Sequence, residues 1–114
     1  MSRHDERVRL SHMLDYARKA VAMARGRKRS ELDSNEMLQF ALIHLVEIVG
    51  EAASKISLET RQNHNEIPWP AMVGMRNRLI HGYEMVDLDL LWDTLIHDLP
   101  PLIVTLSHIL EENE

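Results

Sequence analysis

"SNEMLQFALIHLVEIVGEAASKI", residues 34–56, is the stretch that decides the fold class. Leu38, Leu42, Leu45, Val49, Ala52, Ala53 and Ile56 recur at i, i+3, i+4 and i+7, which is the buried stripe of a long helix. The pattern predicts a helix that begins with Ser34 as N-cap and reaches about Lys55. Phe40, Ile43 and Ile48 fall outside the stripe. A helix apolar on more than one side, in a domain this small, asks for a second partner surface such as another subunit.

Working outward, the same period continues in both directions. Leu10, Met13, Leu14, Ala17, Val21 and Ala24 form one stripe of a helix over about 4–26, which Gly26 and a basic run end. Residues 57–67 read as a helical turn and loop. Pro68 and Pro70 suit the start of a further helix over about 69–81, where a missing N–H costs nothing, and Gly82 is placed to cap it. A last helical region follows Asp87, pauses or kinks at Pro100-Pro101 and ends in an acidic tail. No strand-like alternation and no hairpin turn signal interrupts this. The expectation is a single all-α domain over 1–114, a compact bundle of four to five helices.

Composition agrees. Hydrophobic residues make up 45% and charged residues 27% of 114, the balance of a globular domain, and only 4% are aromatic. The absence of cysteine excludes disulfides, thiolate-bound zinc and thiol catalysis. No apolar run near the length of a membrane span and no secretory h-region is visible, so a cytoplasmic protein is expected. The net charge of −5 hides an asymmetry: residues 1–30 hold nine Lys or Arg and three acids, and the remainder four and fifteen. Overall acidity argues against non-specific nucleic-acid binding, although "ARGRKR" (24–29) is able to supply local phosphate contacts. The simpler reading of that run is a solvated helix end and loop, where cations complement the dipole.

The chemistry concentrates in "RNRLIHGY", residues 76–83. If 69–81 is one helix, Arg76 falls among Trp69, Met72, Val73, Leu79, Ile80 and Tyr83, while Arg78 faces water. A guanidinium in an apolar stripe keeps its charge and must find acceptors, for instance Glu51 on the preceding long helix, or run its stem along the core edge. His81 lies about 140° round an ideal helix from Arg76, so the two share no face unless the helix unwinds or a second copy approaches. An imidazole with an ordinary pKa of about 6.5 exchanges protons near neutrality, and an arginine fork matches phosphate oxygens. The pair is a minimal kit for phosphodiester chemistry without a metal.

Arg76-x4-His81-x-Tyr83, with Asn77 after the arginine, resembles the signature of HEPN-domain ribonucleases, specifically the HepT-like toxin branch. "GEAASKIS" (50–57), "IPWPAMVGMRNRLIHGY" (67–83) and "VDLDLLWDTLIHDLPPL" (86–102) resemble that family in order and spacing, so the likeness covers most of the chain from about residue 34. It implies an all-α bundle that forms a homodimer or a higher oligomer, with two motif copies in a shared cleft. It implies metal-independent cleavage of an RNA substrate, without a cofactor. His81 would be general acid/base for attack of the ribose 2′-OH on the adjacent phosphate, and Arg76 would stabilise the phosphorane. The products would be a 2′,3′-cyclic phosphate and a 5′-OH end. Asn77 and Glu51 would support the pair, Asn77 by orienting His81 one helical turn away. Tyr83 would be the residue to which a small nucleotidyltransferase antitoxin (MntA-like) transfers AMP, blocking the RNA site by charge and volume.

Two rival readings stand beside this one. His44, Glu47 and Glu51 share a side of the long helix, but the paired Glu-x-x-His spacing of di-iron bundles is missing. A non-catalytic HEPN module would use Arg76 and His81 to bind a nucleotide or partner, acting with a nucleotidyltransferase and cleaving nothing. His97 and His108 read as surface residues.

Overall fold

The computed structural model describes residues 3–81 and 85–112. Helix α1 (Arg3–Ala24) buries Leu10, Met13, Leu14, Ala17, Ala20 and Ala24. The three alanines keep that face shallow, and α1 packs along both α3 (Glu36–Ser54) and α8 (Leu99–Glu112). Gly26 follows α1 with φ +78, a left-handed conformation that glycine adopts without a Cβ penalty. The fold is all-α, as the helical period predicts, and measures 43 × 29 × 20 Å.

The basic run after α1 is not merely a solvated end. Helix α2 (Arg29–Ser34) starts inside it and buries Leu32. Arg29 holds Asp89 Oδ1 through Nε at 2.9 Å and Asp33 Oδ1 through a terminal nitrogen at 3.1 Å. The hydrogen bond to Asp89 is the main reason that the Arg29 pKa lies above its ordinary value. Arg27 donates to the Met23 carbonyl at 3.1 Å and lies 3.6 Å from Glu31. Two of the arginines in the run are thus engaged within the chain.

Helix α3 is the central element. Its N-cap is Asn35, one residue beyond the expected Ser34; the Asn35 side chain accepts from Leu38 N at 3.0 Å. All seven residues of the predicted stripe are buried, and Ile43 joins them, while Phe40 stays 63% exposed. By length and mean hydropathy (1.3) α3 is itself apolar enough for a membrane span, which corrects the expectation that no such run exists; half of it is buried inside the domain as a core helix. At its end, Arg61 from α4 (Leu58–Asn63) donates to the Ile56 and Ala53 carbonyls, satisfying groups that the helix leaves open. Glu6 on α1 is buried and accepts from Ser57 N at 3.1 Å, tying α1 to this junction.

The expected helix over 69–81 is not continuous. It forms as α5 (Trp69–Val73) and α6 (Met75–Leu79), divided at Gly74, and then leaves helix for a two-strand ribbon of β1 (Ile80–His81) and β2 (Met85–Val86). The division coincides with the closest approach of α3. A Cβ built on Gly50 would lie 2.9 Å from the Met72 carbonyl oxygen, so only glycine admits this packing. The ribbon is antiparallel, pairs Ile80 with Val86 and His81 with Met85, and is closed by Asp87 N donating to Leu79 O at 2.7 Å. Such short strands carry no alternation for a sequence reading to detect.

Asp87 also caps α7 (Leu88–Asp93), accepting from Leu90 N at 2.9 Å. Between α7 and α8 lies one π-helical stretch, Thr94–Asp98. Pro100 and Pro101 carry no N–H to donate back to the turn before them, and a widened turn accommodates that loss. The expected kink at the prolines is therefore a π turn just ahead of them, and α8 runs through both.

Candidate ribonuclease site

The site begins with how α3 meets α6. Because Gly50 lets the 72–75 corner close on α3, Met75 becomes fully buried and the next residue, Arg76, emerges beside Glu47. Arg76 Nε lies 3.4 Å from Glu47 Oε2. The arginine side chain is 62% exposed and that of Glu47 31%. The expectation of an arginine stranded in an apolar stripe is thus corrected. The wheel assumed one continuous helix, and the break at Gly74 re-phases everything after it, so Met75 takes the core position assigned to Arg76.

The same break corrects the geometry assumed for His81. It belongs to β1, paired with Met85, and not to a helix end, so neither the offset of about 140° nor a one-turn relation to Asn77 applies. Asn77 is exposed on α6. Gly82, expected as a helix cap, and Tyr83 lie outside the described residues. Asp87 N donates to Leu79 O at 2.7 Å beside the paired strands.

Glu51 does not meet Arg76. It is 73% exposed and pairs with Lys55 at 3.8 Å, one turn along its own helix. The acid that faces the arginine is Glu47, which the sequence pattern leaves on the solvated or dimer-facing side of the long helix rather than beside Arg76. Its signal was present: Glu47 precedes Gly50 by three residues, and Gly50 marks where the arginine-bearing segment comes closest. Among the described residues no cluster of three or more metal-ligating side chains forms, and His44, Glu47 and Glu51 do not converge. His97 is 71% exposed and lies 3.8 Å from Asp93; His108 is exposed.

Chemically, Glu47 approaches the guanidinium at Nε. No hydrogen bond to a described residue occupies its two terminal nitrogens, the pair suited to bidentate binding of a phosphate. Arg78, two residues on, has only a long 3.4 Å contact to the Ala71 carbonyl. Two exposed arginines therefore flank Asn77 just before the His81 ribbon.

Comparison with known proteins places this arrangement. A family model described as "Ribonuclease HepT-like" matches residues 13–109. A protein of Methanocaldococcus jannaschii named as a candidate RNase is 34% identical over 102 residues, covering 90% of this chain and 94% of its own length. A second protein of that organism, named as a gamma-glutamylcyclotransferase and candidate RNase, is 33% identical over 110 residues, 96% of this chain and 50% of its own length. A Thermococcus cleftensis protein, provisionally named ribonuclease HepT, is 47% identical over 64 residues, 56% of this chain and 58% of its own. No solved structure matches. The family match runs from the middle of α1 through α3, the α5–α6 corner and the ribbon into α8, and this chain belongs to the HepT-like ribonuclease family.

Proposed function

We propose that this protein is a metal-independent endoribonuclease toxin in which Arg76 and His81 act on one phosphodiester. The observation that carries the proposal is the exposed Arg76 guanidinium, held from its Nε side by Glu47 with its fork open, five residues before the histidine of the motif. Arg76 binds the scissile phosphate and stabilises the charge that builds on the phosphorane. His81 takes the proton from the ribose 2′-OH as that oxygen attacks phosphorus, and a proton is returned to the departing 5′ oxygen. A 2′,3′-cyclic phosphate and a 5′-OH end result, and atoms balance without a cofactor.

A second copy of the chain completes the arrangement in this reading. Met37, 83% exposed, and Phe40 lie on the same side of α3 as His44 and Glu47, so an apolar helix face runs into the Arg76 site. Covering it with its own symmetry mate brings two motifs toward one cleft. Tyr83, two residues after His81 in sequence, is the target for AMP transfer from ATP by a nucleotidyltransferase antitoxin. Its phenolic oxygen would attack the α-phosphorus and release pyrophosphate, leaving an anionic adenylate beside the RNA site.

The test is cleavage of RNA by purified protein in EDTA. Arg76→Ala and His81→Ala should each lower the rate by about 10²-fold or more, the scale of a lost general acid/base or phosphate clamp, with unchanged helical circular dichroism. Wild-type rates in the His81→Ala protein would overturn the mechanism. RNA binding without cleavage by the wild type would favour the non-catalytic module instead. Incubation with a nucleotidyltransferase antitoxin and ATP should add one AMP to the Tyr83 peptide in a mass spectrum; an unmodified peptide would remove the proposed off-switch.

A further inference from the structure

A second feature lies on the side of the α5–α6 corner that Arg78 covers. Between α5, the π turn and α8 opens a cavity of about 360 Å³. Its floor is apolar, made by Ile67, Met72 and Leu102, each nearly fully buried. Its polar lining is mixed in sign, with Arg78, Asp98 and Glu66 all contributing. Ligand sites commonly have this character, an apolar body with a few polar groups that fix orientation.

The π turn explains why the cavity exists. Pro100 and Pro101 favour the widened turn, and that turn brings Asp98 to the cavity that Arg78 also lines. Arg78 has no carboxylate within ion-pair distance among the described residues, although it shares the rim with two acids. Among the described residues its side chain makes one hydrogen bond, to the Ala71 carbonyl at 3.4 Å.

We infer that this cavity is a base-binding subsite for single-stranded RNA, with Arg78 donating from the rim to the edge of the base that enters it. The inference rests on the ribonuclease reading for its substrate class. Three physical points carry it. A planar base presents apolar faces to the floor, and its edge mixes donors and acceptors that suit a rim of both signs, whereas an isolated phosphate would be repelled by Asp98 and Glu66. Arg76 and Arg78 lie on one short helix, two residues and about 200° apart, so a strand clamped at Arg76 reaches the cavity by passing over α6. The volume lies in the range of about 300–1,000 Å³ typical of small-molecule pockets, enough for a base with part of its ribose.

The role is positioning and specificity, distinct from the chemistry at Arg76 and His81. It is tested with a short 2′-O-methylated RNA, which binds but lacks the attacking hydroxyl, carrying one abasic site moved along its length. In the wild type, one abasic position should weaken binding by about tenfold. Arg78→Gln removes the fork, and Thr105→Phe fills the cavity from the half-buried wall of α8. Both variants should bind the intact RNA about tenfold more weakly and lose the abasic penalty at that position, with urea midpoints reported for each. On all-ribose RNA, KM should rise while kcat stays within about twofold, the pattern of lost uniform binding. Wild-type affinity in both variants, or an abasic penalty that survives in both, overturns the subsite. If the wild type cuts RNA but the variants change nothing, the subsite fails and the ribonuclease reading stands. If the abasic penalty appears without cleavage of all-ribose RNA, the catalytic reading fails and the subsite stands.

Discussion

Glu47 shows how much a single side chain sets at this site. Its carboxylate, half-buried on α3, meets Arg76 at Nε and so aims the guanidinium without occupying its terminal nitrogens. With Arg76 62% exposed, an ion pair of this kind adds little to stability. Its effect belongs to geometry. Glu47→Gln should leave the urea midpoint unchanged within error while lowering kcat by about tenfold, because a misaligned clamp costs transition-state stabilisation. Unchanged kcat would show that Arg76 orients itself. Glu51, the acid proposed from the sequence, pairs with Lys55 one turn away, so Glu51→Gln should have no comparable effect.

At the scale of elements, the decisive contact is between α3 and the α5–α6 corner. The Met72 carbonyl oxygen occupies space that any Cβ at residue 50 would need, at 2.9 Å. Backbone cannot step aside as a flexible side chain can. Gly50→Ala should therefore destabilise the domain by about 1–3 kcal/mol, measured as a lower urea midpoint at constant m-value. It should also reduce cleavage under fully folded conditions, since moving the corner moves Arg76 from Glu47. A variant as stable and active as the wild type would mean that the corner relaxes freely. The π turn ahead of Pro100-Pro101 is a second such device: a local loss of donors opens a cavity wall and carries Asp98 to its rim.

At the scale of the whole molecule, the N-terminal half of α3 presents two large apolar side chains to solvent. Phe40 is 63% and Met37 83% exposed on the helix that otherwise forms the core. The proposed homodimer covers this face, so Phe40→Glu should shift the species seen by light scattering from dimer to monomer while leaving circular dichroism unchanged. RNA cleavage should fall with it. A wild type that is monomeric at all concentrations, or a dimer indifferent to Phe40→Glu, would exclude this face as the interface.

The helices were legible because the core is periodic. The stripes on α1 and α3 point inward as predicted, and the three residues outside the α3 stripe divide into Ile43, buried by neighbours, Ile48, half-buried, and Phe40, left outside. The motif and its family were legible from residue identities and spacing, which survive any change of backbone path. What the wheel could not supply was the path itself. Gly74 and the two-residue strands leave no periodic trace, so Arg76 was placed in a stripe that Met75 occupies, and His81 on a helix that ends at Leu79. Residue order by itself determined an all-α domain and the arginine–histidine motif, because both are written in local pattern. Tertiary structure alone decided that Glu47 holds Arg76, because that pairing depends on Gly50 admitting a backbone carbonyl between two segments distant in sequence.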